Sequence, residues 1–248
     1  MSTYVLALPK QVNPKTKRIH TIFNQTLTST GRLSSLNPNL QNIPIRTSNG
    51  KLIRKAFTAR DQDHILVSAD YSQIELRVIA SLSNDDDMLK AFKNNEDIHK
   101  STASKVFNID LENVTNEQRS HAKVVNFGII YGVSAFGLSN QTDLSRSESK
   151  EIIDNYYKSY PKLKEFTSNQ IEFARSNGYV KTLLGRKRYL NDINSRNAII
   201  RSSAERNAIN SPVQGTAADI IKLAMIKIDD ELEKLKLKSK LILQVHDE

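Results

Sequence analysis

The sequence predicts an α/β protein of the α+β type, in which a sheet bearing acidic residues is split along the chain by a mainly helical insertion. Three observations carry this. The runs His64-Ile-Leu-Val-Ser-Ala-Asp70 and Leu241-Ile-Leu-Gln-Val245 have the length and apolar content of buried strands, and each delivers a carboxylate, Asp70 and Asp247. Residues 85 to 176, between the two runs, follow a helical pattern. That pattern breaks only at Phe107-Asn-Ile-Asp-Leu-Glu-Asn-Val-Thr115 and before Pro161.

Taken in order, residues 1 to 60 are rich in Pro, Asn, Ser and Thr, which predicts loops and short strands. Tyr71-Ser72 breaks the strand ending at Asp70, and a helix is expected from Gln73. The stretch "GYVKTLLGRKRYL", residues 178 to 190, reads as a hairpin. Its Gly185 to Tyr189 cluster either lines a phosphate backbone or is simply solvated. A helical tract from about Arg196 to Asn210 is expected to stop at Ser211-Pro212. Thr216 and Asp219 then have capping-box spacing, and Ile221, Met225, Ile228, Leu232 and Leu235 form the stripe of an amphipathic helix. No internal repeat interrupts this order.

The chain has 248 residues and 38% hydrophobic content, enough for a real core. Its 36 Lys and Arg exceed 27 Asp and Glu, for a net charge of +9. That balance suits a protein that meets phosphates, although a Lys-rich proteome produces it as well. The absence of cysteine excludes disulfides and thiolate metal sites. No run approaches the length of a membrane span, and "MSTYVLALPK" lacks the charged start and apolar core of a signal peptide, so no membrane partner is expected.

The chemistry begins with the two strand ends. Asp70 and Asp247 on neighbouring strands would share one sheet edge, where hard divalent cations such as Mg²⁺ find oxygen ligands. Two such ions roughly 4 Å apart serve an in-line displacement. Either Asp taken alone reads better as a turn residue after a strand, so the pair needs further support. Support comes from "RSHAKVVNFGIIYG", residues 119 to 132. Arg119, Lys123, Phe127 and Tyr131 recur every four residues and form one slowly drifting stripe, with Ala122, Val125 and Ile129 on the opposite face. Cations at one end and rings at the other suit a triphosphate and a base. An ordinary amphipathic helix has the same look.

The segments "DYSQIELRV" at 70 to 78, Arg119 to Gly132, and the terminal "VHDE" resemble, in order and spacing, the polymerase motifs of family A DNA polymerases. So do "TSTGRLSSLNPNLQNIPIR" at 28 to 46, "DIHKSTAS" at 97 to 104, the hairpin segment, and "AERNAINSPVQGTAADIIKLAM" at 204 to 225. The resemblance covers nearly the whole chain.

It implies template-directed DNA synthesis on an antiparallel palm sheet with a mainly helical fingers subdomain inserted. Residues 1 to 75 would be the first part of the palm, 76 to 205 the fingers and 206 to 248 the second part of the palm. Asp70 and Asp247 would bind two Mg²⁺ ions, replaceable by Mn²⁺, with the carbonyl of Tyr71 as a further ligand and Glu248 as a nearby acidic helper. Arg119 and Lys123 would hold the triphosphate, Lys123 as proton donor to pyrophosphate, with His99 and Gln73 adding phosphate contacts. Phe127 would pack on the nucleotide, Tyr131 would guard the template base position and Glu75 would block a ribose 2′-hydroxyl. Ser72 and Glu75 also have capping-box spacing, a structural role that can coexist. Arg32, Gln41 and Asn42 would contact primer or template, and Arg206, Asn210, Gln214 and His246 the primer terminus or minor groove, whose acceptors are shared among base pairs. His20, His64 and His121 match no functional position.

The partners implied are primer-template DNA and dNTPs, with the protein a monomer. The setting is cytoplasmic, in bacterial or viral replication, with an organellar one left open. A single-subunit RNA polymerase shares the Asp pair and the cationic helix, and Glu75 discriminates the two. The resemblance also implies a piece of a longer polymerase, with a thumb before residue 1 and more palm after Glu248, Met1 being an added start or a truncation scar. The third reading is therefore an inactive DNA-binding fragment.

Overall fold

The structure is a computed structural model that describes residues 2–45 and 47–248. Met1, expected to be an added start, and Arg46, the last residue of the motif at 28 to 46, lie outside the described residues. The described residues are mostly helical, with two small antiparallel sheets among them. It divides into two compact units, one of Met1–Ser72 with Ala218–Glu248 and one of Gln73–Ala217.

The first unit opens with helical turns over Ser2–Ala7 and Leu8–Gln11. Strand β1 (Ile22–Asn24) pairs antiparallel with β2 (Ser34–Leu36), Phe23 opposite Ser35. The buried Ser35 hydroxyl accepts from the Leu40 amide at 2.8 Å and so ties the following loop to the sheet. Helix α1 (Ser48–Lys55) starts at Thr47, whose hydroxyl accepts from the Gly50 amide. The apolar core of this unit is small, with Leu8, Leu40, Ala218 and Ile221 among its buried members.

The runs at 64–70 and 241–245 are not strands of a sheet among the described residues, which corrects the expectation of a palm sheet carrying Asp70 and Asp247. Their side chains have the right preference, but a strand exists only through a paired neighbour, and none is paired to them here. Ile65, Val67 and Ile242 are accordingly 83%, 80% and 64% exposed.

The second unit matches the helical reading closely. Its helices are α2 (Ile74–Ser83), α3 (Asp86–Lys93), α4 (Ile98–Phe107), α5 (Asn116–Ile130), α6 (Ala135–Ser139), α7 (Arg146–Ser159) and α8 (Pro161–Asn177). Side chains of Asp85, Asp97, Thr115, Ser134 and Ser145 cap five of these starts, and Thr115/Gln118 and Ser145/Glu148 form complete capping boxes. The predicted break at 107–115 holds a single 3₁₀ turn, Leu111–Asn113. Leu76, Ile79, Met88, Ile98, Leu138 and Leu163 are fully buried, together with Tyr156 and Tyr160. Ala122, Val125 and Ile129 are buried too, which puts the expected apolar face of α5 inward.

Gly178, at φ 75°, ends α8 and turns the chain into the hairpin of β3 (Tyr179–Lys181) and β4 (Lys187–Tyr189). Helix α9 (Ala198–Lys234) follows. Val180, Leu190 and Ile193 pack with Ala174, Ala204 and Ala208. The basic cluster of the hairpin is neither solvated throughout nor turned wholly outward. Arg188 donates to the Ser211 hydroxyl at 2.7 Å and Arg186 to the Gly215 carbonyl at 3.0 Å, so both hold the hairpin onto α9.

Ser211-Pro212 does not stop the helix, because α9 runs straight through it. A proline inside a helix costs about 3 kcal/mol, and burial of Ala208, Ile209, Val213 and Ala217 around it offsets that cost. Hydroxyls cover nearby carbonyls, Ser211 donating to Asn207 and Thr216 to Pro212. Thr216 is therefore mid-helix and not a cap; it also accepts from the Leu183 amide at 3.0 Å. Along the predicted stripe Ile221 is buried, Met225 and Leu232 are half-buried, and Ile228 is exposed; Leu235 lies beyond the helix.

Candidate functional site

In the first unit the chain reversal at the end of the sequence is a two-residue turn. Val245 and Glu248 exchange both backbone hydrogen bonds at 2.9 Å, and His246 takes φ 56° between them. The Tyr71 amide donates to the Asp247 carbonyl at 3.0 Å, and the Ser68 hydroxyl donates to Glu248. These bonds bring 68–71 against 247–248, so Asp70, Asp247 and Glu248 share one corner of the unit even without a ladder. Partial burial pushes the Asp70 carboxyl above its usual range, and the charges of Asp247 and Glu248 push it further. The like charges at this corner oppose one another, but among the described residues the group of three His, Asp and Glu side chains close enough together to share one ion is a different one, Glu117, His121 and Asp143. The turn is anchored from behind by Gln41, whose buried side-chain amide donates to the Gln244 carbonyl at 3.2 Å and to its Oε1 at 3.1 Å. Gln41, expected at the DNA, is thus committed to the turn. Asn42 is exposed and its carbonyl accepts from the Tyr4 hydroxyl; Arg32 is half-buried, and His246 is exposed.

In the second unit α4 packs against α5, which carries the cationic stripe. Arg119 donates through Nε to Asp97 at 2.7 Å. The other oxygen of Asp97 caps α4, accepting from the amides of His99 at 3.0 Å and Lys100 at 3.1 Å. Burial pushes the Asp97 carboxyl up, but its bonds to Arg119, Lys100 and His99 outweigh that and hold it below its ordinary range. The His99 imidazole is buried and lowered to about 4 by desolvation; Asp97 opposes the shift, and the charges of Arg119 and Lys123 reinforce it. His99, Arg119 and Lys123 therefore form one electrostatic cluster in which the ring is neutral at pH 7. Phe127 continues the stripe, its ring 5.8 Å from that of His99.

Tyr131 caps the C-terminal end of α5 and donates its hydroxyl to the buried Glu75 carboxylate at 2.9 Å. The N-cap of α2 is Gln73, in a left-handed conformation with no side-chain cap bond of its own. The side-chain oxygen of Gln73 is buried without a hydrogen-bond partner, as is Oδ1 of Asn210. Arg206 is exposed on α9 and bonds Ser202 at 2.9 Å, and Gln214 is half-buried. Two residues of this site escaped the sequence reading, Asp97 and Asn126. The capping pattern of "DIHK" could have signalled Asp97; Asn126 sits on the apolar face of α5, where nothing in the sequence distinguishes it.

Comparison with known proteins is consistent throughout. The family model for DNA polymerase family A matches residues 1–248. The chain is 54% identical over 248 residues to DNA polymerase I of Caldicellulosiruptor bescii, covering all of this chain and 29% of that protein. It is 52% identical over 247 residues to DNA polymerase I of Bacillus caldotenax, again covering all of this chain and 28% of the relative. The chain thus spans under a third of the length of these curated relatives. Among solved structures, the POL domain of Pol1 from M. smegmatis, in complex with DNA primer-template and dNTP, superposes with a TM-score of 0.89 at 44% identity, over 97% of this chain and 42% of that one. No helix among the described residues is long and apolar enough to cross a membrane. With its full length matched and its nucleotide-polymerase relatives more than half identical, the chain belongs to family A of the DNA polymerases.

Proposed function

We propose that this chain carries the catalytic carboxylates and the nucleotide-binding helix of a template-directed DNA polymerase, which transfers a nucleotide from a dNTP to a primer 3′-hydroxyl and releases pyrophosphate. The observation that carries the reading is the cluster of His99, Arg119 and Lys123 at one end of α5, with the Tyr131–Glu75 hydrogen bond at the other. Phosphoryl transfer is accelerated mainly by positioning and charge stabilisation, and this arrangement offers both to a triphosphate and its sugar.

Asp70, Asp247 and the Tyr71 carbonyl would hold two Mg²⁺ ions, with Mn²⁺ as substitute; when bound, the ions supply activation of the attacking hydroxyl and stabilisation of the leaving oxygen. Arg119 and Lys123 bind the triphosphate, and Lys123 passes a proton to the leaving pyrophosphate. Gln73 adds a phosphate contact. Phe127 packs on the nucleotide, and Tyr131 guards the template base position. Glu75 fills the space a 2′-hydroxyl would need. That Glu75 is buried and bonded to Tyr131 favours deoxyribonucleotides over the RNA polymerase alternative. Arg32, Asn42, Arg206, Asn210, Gln214 and His246 face primer-template DNA, with Gln41 supporting them from behind the turn. Residues 1 to 75 and 206 to 248 correspond to the palm and 76 to 205 to the fingers.

The test is primer extension by a complete polymerase containing this chain. Asp70→Ala or Asp247→Ala should reduce nucleotide incorporation by orders of magnitude and leave primer-template binding nearly intact. Near-normal extension by either variant in Mg²⁺ would sink the assignment.

A further inference from the structure

A buried polar network joins the cluster of His99, Arg119 and Lys123 at the His99 ring. Asn126, completely buried on α5, donates through Nδ2 to Nδ1 of His99 at 3.0 Å. Its Oδ1 accepts from the Tyr156 hydroxyl of α7 at 3.0 Å, and the Thr102 hydroxyl of α4 lies 3.2 Å from both its Oδ1 and its Nδ2. Thr102 in turn bonds the Tyr160 hydroxyl at 3.1 Å. All of these groups are buried, so each bond is expensive to leave unmade, and the Asn126 amide is held with its N–H side toward the imidazole. A ring nitrogen that accepts a hydrogen bond carries no proton. In neutral imidazole the proton must then sit on the other nitrogen.

We propose that Asn126 is a positioning residue for triphosphate recognition. By donating to Nδ1 it fixes His99 as the Nε2–H tautomer, so that His99 offers a phosphate oxygen an N–H donor and not a lone pair. This rests on the reading of His99 as a phosphate contact. Among the described residues Nε2 makes no hydrogen bond, which leaves its proton for a ligand. The charged groups acting on the ring are Asp97 at the start of its own helix and Arg119 and Lys123 on α5, and the neutral state of His99 follows from burial beside those two cations. His99 is then a donor that adds no third positive charge, and its donor state does not change across neutral pH. A carboxylate at position 126 would reverse the arrangement. It would draw a proton to Nδ1, and near pH 8 it would leave the Nε2 lone pair facing the phosphate.

The first measurement is the long-range ¹H–¹⁵N spectrum of the ¹⁵N-labelled 248-residue chain at pH 7, with the His99 signals assigned by their loss in His99→Gln. The proposal requires a protonated Nε2 and a bare Nδ1; the opposite tautomer, or a doubly protonated ring, overturns it. This needs no change at Asn126 and stands even where Asn126→Asp does not fold. The second is steady-state kinetics at pH 8 in a complete polymerase containing the chain. Asn126→Asp should raise KM for dNTP about tenfold with kcat little changed, the scale of a lost bond to a charged group. His99→Ala should do the same, and the double variant should do no more than either. An effect in His99→Ala without one in Asn126→Asp overturns the tautomer inference and leaves the proposed function standing. No effect in either overturns the placement of His99 at the triphosphate, on which both rest.

Discussion

The Tyr131 hydroxyl donates to the Glu75 carboxylate at 2.9 Å, joining the end of α5 to the first turn of α2. The bond fixes a buried carboxylate in one place, which is what steric exclusion of a sugar hydroxyl requires. Glu75→Ala should therefore raise the ratio of ribonucleotide to deoxyribonucleotide insertion about tenfold or more, since a pocket that no longer clashes loses most of its discrimination. Tyr131→Phe keeps the ring and removes the donor, and should move the ratio the same way by less. Competition assays with paired rNTP and dNTP measure both. An unchanged ratio in Glu75→Ala, with only a lower melting temperature, would reduce Glu75 to a structural role.

Phe127 lies on the same face of α5 as Arg119 and Lys123 and has no hydroxyl to replace a missing 3′-OH interaction. Phe127→Tyr should make chain-terminating dideoxynucleotides better substrates, with the dideoxy-to-deoxy incorporation ratio rising several-fold, the scale of one hydrogen bond. A constant ratio would count against its position beside the sugar.

Asp97 serves both α4 and Arg119, and the two services can be separated. Asparagine caps a helix as well as aspartate does but carries no charge for the guanidinium. Both partners of the Asp97–Arg119 pair are more than a third exposed, so Asp97→Asn should change unfolding free energy by less than about 1 kcal/mol. KM for dNTP should nevertheless rise roughly threefold, because Arg119 loses the group that orients it. Tighter nucleotide binding in this variant would mean that Asp97 competes with the triphosphate for Arg119.

His99 makes stability depend on pH in a definite direction. Its ordinary value of 6.5 falls to about 4 in the fold. Between these values the unfolded chain binds a proton that the folded chain refuses. The stabilisation is therefore complete above pH 6.5 and is lost as pH falls toward 4, up to about 3 kcal/mol in all. Urea midpoints at pH 7.5 and pH 5 should differ more for the unaltered chain than for His99→Gln. Equal differences would remove His99 from the acid sensitivity.

The parts legible in the sequence are those whose signals are local. The helical tract over 85 to 176 and its break at 107 to 115 are read from patterns contained in short stretches of chain, and the Arg119-to-Tyr131 stripe follows from helical spacing alone. Pro212 misled because its local rule is overridden by packing around Ala208 and Val213. The runs at 64–70 and 241–245 misled because a strand is a property of a pair, and composition speaks for only one member. Asn126 was illegible for the same reason: its role is set by His99, Thr102 and Tyr156, which come from other stretches of chain.

Gly132 follows Tyr131 at φ 66°, and a Cβ placed there would stand 2.8 Å from Cγ and 3.3 Å from Cα of Arg206. Every single-base change of a glycine codon that alters the amino acid, whether to alanine, valine, serine, cysteine, arginine, tryptophan, aspartate or glutamate, adds that carbon. At this codon the genetic code offers no mild missense step. Each one presses the end of α5 away from the backbone of α9 and carries the Tyr131 ring with it.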